Sequence, residues 1–202
     1  MKASVPLLLG LCLLASGAEA KAAKAAKPAK QRKPSSRELA MVKEVLAGQE
    51  LIAKKTFQVA LKGAGSCLFA PGMDYKASPP LQLHLIQDGR ILHTLAPSAA
   101  DKAWPVLRFE NVMFLDVNAD GFEDVMTLTR YMPVVGPRAG EAFNQVGLYL
   151  SHEGKAFEPV AKELHDSLNE QPPASLAEVL KRLKSVDKQQ LAVPVQVSAT
   201  PK

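Results

Sequence analysis

Asp88-Gly89 sits in the middle of residues 81–95, a stretch rich in Leu and Ile, and an Asp-Gly pair flanked by apolar runs is among the strongest short-range hairpin signals. A second turn pair, Glu153-Gly154, divides residues 146–160 in the same way. Phe57, Val59 and Leu61 alternate with other residues over positions 56–62 and predict a further strand. Gly63, Gly65 and Pro71-Gly72 then punctuate the chain. Outside this middle region the period changes. Ser35 and Glu38 have capping-box spacing, and Leu39, Val42, Val45 and Leu46 form an apolar stripe, so the pattern predicts a helix over residues 36–47 stopped by Gly48. Ser175 and Glu178 repeat the box ahead of Leu176, Val179, Leu180 and Leu183. The expected class is therefore α+β: an antiparallel meander of about six or seven strands with a helix near each end of the chain.

The most distinctive local sequence is Asp116-Val117-Asn118-Ala119-Asp120-Gly121-Phe122-Glu123-Asp124. It sets oxygen-bearing side chains at alternate positions and bends at a glycine, the arrangement a short loop needs to surround calcium with oxygens. An EF-hand is excluded, because the twelfth position from Asp116 is Thr127 where that motif carries a bidentate Glu. The flanks, Val112 to Leu115 before the loop and Val125 to Tyr131 after it, favour strands.

This loop resembles the D-x-[DN]-x-D-G-x-x-D loops of FG-GAP and VCBS-type repeats, the calcium loops of integrin-like β-propellers. The resemblance covers residues 112–131 and extends loosely through the following hairpin. It implies that Asp116, Asn118, Asp120 and Asp124 bind Ca2+ through their side chains, that Phe122 adds its backbone carbonyl, and that Glu123 faces away. The chain holds no second copy of the loop and no Gly-Ala-Pro segment before it. A full propeller needs at least about four blades of four strands and is excluded.

The N-terminus reads as a secretory signal over residues 1–20. Lys2 supplies the positive start, residues 5–14 are nearly all apolar, and Ala18-Glu19-Ala20 is a small-x-small cleavage site. The apolar run is shorter than the roughly 20 residues a membrane span requires. Leu11 before Cys12 argues against a lipoprotein site. Next come Lys21, Lys24, Lys27, Lys30, Arg32 and Lys33, and these six cations outweigh the whole chain's net charge of +5. With Ala and Pro as its other main residues, the 21–34 segment is expected to be a disordered basic tail that weakly contacts anionic envelope polymers or acts as a solvated spacer. Residues 35–190 then form a single β-rich domain. Residues 191–202 are a tail or, through 193–197, an edge strand, the only kind Pro194 allows.

Little else suggests chemistry. After cleavage Cys67 is the one cysteine, and its neighbours Leu68 and Phe69 point to a buried, inert thiol. If Asp88-Gly89 is a two-residue loop, His84 lies opposite His93, a possible zinc or copper pair with no visible third ligand. His152 and His165 read as surface residues, Glu163 and Asp166 as the exposed side of a short segment, and Trp104 as packing or ligand stacking. The hydrolase and nucleotide-binding motifs G-x-S-x-G, H-E-x-x-H, P-loop and Gly-rich dinucleotide fingerprint are all absent from the sequence. The expectation is a secreted or periplasmic, calcium-stabilised binding or structural module of the envelope, not an enzyme, with an unknown protein or envelope polymer as partner and no specific nucleic acid. Alternatives are an inhibitor of an envelope hydrolase, with residues 133–140 entering the cleft, or a hydrolase whose site is unrecognised.

Overall fold

The computed structural model describes residues 27–95, 104–187 and 190–191. The signal segment, Cys12, residues 21–26 of the basic tail and the 193–197 edge-strand expectation lie outside these residues. Among the described residues the chain forms ten strands and three α-helices. No helix among them is long and apolar enough to cross a membrane.

Antiparallel pairing is present throughout, as expected, but the strands divide into two sheets instead of one. The first sheet has the order β1 (Gln31–Arg32), β3 (Phe57–Leu61), β4 (Gly65–Met73), β5 (Leu81–Gln87), β6 (Arg90–Leu95), with β2 (Glu50–Leu51) also on β4. The second runs β7 (Val106–Leu115), β8 (Asp124–Tyr131), β9 (Phe143–His152), β10 (Ala156–Pro159). From β3 to β6 and from β7 to β10 each sheet is a meander.

Three apolar clusters explain the division. Cys67, Phe69, Leu83 and Leu85 of the first sheet meet Phe109, Phe114, Val125 and Tyr149 of the second. Leu68, Ala70 and Ile86 point from the opposite face of the first sheet onto Val42 and Leu46 of α1 (Ser36–Val45) and its cap. Met126, Leu128, Val146 and Leu148 point from the outer face of the second sheet onto Leu164 and Leu168 of α2 (Lys162–Asn169) and Val179 and Leu183 of α3 (Leu176–Leu183). The result is four layers: α1, sheet, sheet, α2 with α3. Central strands covered on both faces read as continuous apolar runs, so sequence alternation does not reveal a second sheet.

Local signals account for most boundaries. Asp88 and Gly89 have φ of 49° and 72°, and Glu153 and Gly154 have 54° and 72°, the paired positive values of the tight hairpin turn. Ser35 and Glu38 complete the expected capping box. Ser175 caps α3 through the Glu178 N–H, while Glu178 reaches back one residue further, to the Ala174 N–H. Pro71 is accommodated inside β4 because its carbonyl accepts from Ile52 N–H. Pro71 thus lies where β3, last paired at Phe69, gives way to the short β2, which pairs from Gly72, an interruption of the ladder that a residue without an N–H fits.

Two expectations need correction. The basic segment is not disordered along its whole length: Gln31 and Arg32 pair with Val59 and Gln58, and the Ala29 N–H donates to Phe114 O at 2.9 Å. Helices are not confined to one near each end of the chain: the segment after Val160 forms a third, α2, whose Asn169 amide both accepts from Val146 N–H (2.8 Å) and donates to Val146 O (3.0 Å).

At one end of the sandwich the turn after β3 abuts the turn after β9. A Cβ on Gly63 would lie 2.1 Å from Glu153 O, and one on Gly154 would lie 2.2 Å from Lys62 O. Gly136 also has positive φ, 91°, but nothing within 4 Å of a Cβ there. Gly63→Ala is therefore expected to cost about 2–4 kcal/mol, combining overpacking with left-handed strain, and Gly136→Ala only about 1–2 kcal/mol. Urea denaturation of the two variants measures the difference, and equal losses would refute the close-contact explanation.

Candidate metal centre

The acidic loop joins β7 to β8 at this same end of the sandwich. Leu115 and Asp124 are the last paired residues, and the chain between them reverses through Ala119 and Gly121, with φ of 64° and 92°. Internal hydrogen bonds shape the turn. Asp116 accepts from the N–H groups of Asp120 (3.1 Å) and Gly121 (2.9 Å). Asn118 accepts from Asp120 N–H at 3.1 Å and donates to the Asp120 carboxylate at 3.0 Å. Asp120 also accepts from Phe122 N–H at 2.8 Å. These short-range bonds are the Asx-type turns that Asp and Asn favour.

Asp124 differs from the others in having no exposed surface. Its two oxygens accept from Val117 N–H and Ser151 N–H, both at 2.8 Å, so it ties the loop to the end of β9. Glu123 makes the connection to the other sheet, accepting from Lys62 N–H at 2.8 Å. The Lys62 ammonium lies 4.7 Å from the centre of the Phe122 ring, within cation–π range.

The donor set, Asp116, Asn118, Asp120 and Asp124, offers only oxygen, which suits a hard cation such as calcium. Each carboxylate oxygen here accepting a backbone N–H retains another lone pair for a ligand bond. Among the described residues, however, no three His, Cys, Asp or Glu side chains converge as a group that could hold a metal. The loop therefore matches calcium in donor chemistry, while its side chains are turned toward N–H groups.

Other candidate residues are placed as follows. The β5–β6 hairpin contains a bulge, so Ile86 faces Ile91 but Leu85 faces His93 and His84 faces Thr94. His84 and His93 therefore fall on opposite faces and form no metal pair. His84 bonds Thr94 Oγ1 (2.9 Å) and Gln49 Oε1 (3.1 Å), while His93 stacks edge-on against Phe157. His165, expected at the surface, is buried in α2, with its Nε2 3.2 Å from Asn169 Nδ2. Glu163 and Asp166 lie on the same helix, where Asp166 pairs with Lys162. Trp104 is partly exposed and meets Phe143 edge-on. Cys67 is buried, as expected, and burial pushes its thiol up to about 11.

No family model matches this chain, and neither does any curated protein or solved structure.

Asp124 generates a pH dependence. Burial raises its carboxyl to about 6, against the pull of the Ser151 and Val117 N–H groups, and the charges of Asp120 and Asp116 add to the rise. A carboxyl raised in the fold stays protonated where the unfolded chain has already ionised, so its contribution to stability declines as pH rises from about 4 to about 6. In chelator, the wild-type urea midpoint is expected to fall across that window relative to Asp124→Asn, which cannot titrate there. Parallel pH profiles would contradict this. Cys67 is expected to resist a disulfide reagent at about pH 8 in the native protein and to react once denaturant is added, because the protonated thiol is a poor nucleophile.

Proposed function

We propose that this protein is an exported, calcium-stabilised module of the cell envelope that acts by binding or as a structural part, without catalysis. The observation that carries the reading is the loop of residues 116–124. It carries three aspartate carboxylates and an amide oxygen within nine residues, and its last two residues, Glu123 and Asp124, are hydrogen-bonded to the turn after β3 and to the end of β9. Calcium would relieve the mutual repulsion of Asp116, Asp120 and Asp124 and stiffen the junction of the two sheets. Phe122 would contribute its carbonyl. Export rests on Lys2, the apolar run and Ala18-Glu19-Ala20, which imply a secreted or periplasmic location. The basic segment offers a weak, salt-sensitive contact with anionic polymers.

A second reading, an inhibitor of an envelope hydrolase, is favoured by Val134 and Val135, which are 65% and 74% exposed at the tip of the 133–140 loop. Adjacent exposed valines flanked by Pro133 and Gly136 suit insertion into an apolar cleft.

Thermal unfolding in chelator and in about 1 mM calcium tests the first reading. With an assumed dissociation constant of about 10 μM, linkage stabilises the fold by roughly 2.7 kcal/mol, a rise of several degrees in Tm. Magnesium is expected to give a smaller shift, because it surrenders its waters reluctantly. Asp120→Ala and Asp124→Ala are expected to abolish the calcium-dependent rise, whatever they do to the baseline. Absence of a shift in wild type, or a full-sized shift in both variants, defeats the reading.

A further inference from the structure

The two sheets do not close completely on one another. A cavity of about 20 Å³ lies between them, with Leu83 and Leu95 on the first sheet and Thr127, Gln145, Gly147 and Tyr149 on the second. Its walls differ chemically. The first sheet offers only hydrocarbon at these positions, whereas the second brings polar atoms together over Gly147. A Cβ at that glycine would lie 2.7 Å from Thr127 Oγ1 and 3.2 Å from Tyr149 Oη, so only a glycine lets these two side chains pack directly over the strand and bring their oxygens to the cavity wall.

Gln145 supplies a second, independent observation. It is 6% exposed, and its Oε1 is buried with no hydrogen-bond partner among the described residues. The other end of the amide, Nε2, makes only a long 3.5 Å approach to His165 Nε2. Thr127 Oγ1 is poorly served as well, since its contact to Gly147 O is 3.4 Å. A buried amide carbonyl without a donor is costly, and internal water is the usual remedy.

Size selects the occupant. One water requires about 10–15 Å³ of space for its centre and two to four polar partners. The 20 Å³ here admits one water and excludes larger solutes. A dry cavity would need a wholly apolar lining, which Thr127 and Gln145 contradict.

We infer that this cavity is an internal hydration site holding one water molecule, which donates to Gln145 Oε1 and accepts from the Thr127 hydroxyl. Turning the Gln145 amide by half a rotation exchanges donor for acceptor and keeps the same water contact with the roles reversed. The water links β8 to β9 inside the inter-sheet core, independently of the calcium loop.

A crystal structure of the protein at about 1.5 Å or better, a resolution at which ordered water is distinguished from noise, together with water–amide NOEs at Gly147 in solution, tests the inference. The expected result is one ordered water within hydrogen-bond distance of the Gln145 amide and a long-lived NOE. In Gln145→Met, which keeps the length of the side chain and removes its amide, both signals are expected to disappear. An empty wild-type cavity without an NOE overturns the inference, as does water that persists undiminished in Gln145→Met. If that variant does not fold, the wild-type density and NOE decide alone.

Discussion

Phe69 has no exposed surface, and its ring touches aromatic partners from both sheets: Phe57 at 5.3 Å on its own sheet, and Phe114 at 5.6 Å and Phe109 at 6.0 Å across the interface. Offset and edge-on ring pairs of this kind add about 0.5–1.5 kcal/mol each beyond the area they bury. The four-layer arrangement depends on this contact. Once Phe69 fixes which face of β4 meets the second sheet, Leu68 and Ala70 must face outward and need α1 to cover them. On the other side Val125 faces inward, so Met126 and Leu128 require α2 and α3.

The acidic loop acquires its position from the same sandwich. Its termini are the last pair of the β7–β8 ladder, and Phe114 one residue before is locked in the aromatic cluster. Asp124 and Glu123 then carry the loop's hydrogen bonds outward to β9 and to the turn after β3. Ordering of this turn, by an ion or by its own Asx bonds, is consequently an ordering of three chain reversals together.

Much of this was legible in the sequence where short-range chemistry decides the outcome. Asp88-Gly89, Glu153-Gly154, the Ser35–Glu38 box and Ser175 all specify their structures within a few residues. Long-range terms were not legible. β4 was hidden because Pro71-Gly72 resembles a turn until β3 is seen to stop at Phe69. α2 lacks a side-chain N-cap and is only two turns long, so its two buried leucines do not establish a period. The bulge in β6 moved His93 by one place, and one place reverses the face of a side chain. Within the loop, Asp116, Asn118, Asp120 and Asp124 could be read directly as oxygen donors. Their partners Ser151 and Lys62 stand 27 and 61 residues away from the acids they bind, beyond the reach of any local pattern.

The Asn169 amide on Val146 has a consequence for the life of the protein outside its native state. β10 pairs with β9 only from Tyr149 to His152, so the earlier half of β9 has β8 on one side and no strand on the other among the described residues. Asn169 engages both backbone groups of Val146 as a neighbouring strand would, and α2 lies over that edge. Should α2 detach, the apolar segment around Val146 would present open peptide groups to any extended chain that approached it, the circumstance in which sheets recruit one another and precipitate. A side chain on a two-turn helix thus doubles as a guard against self-association.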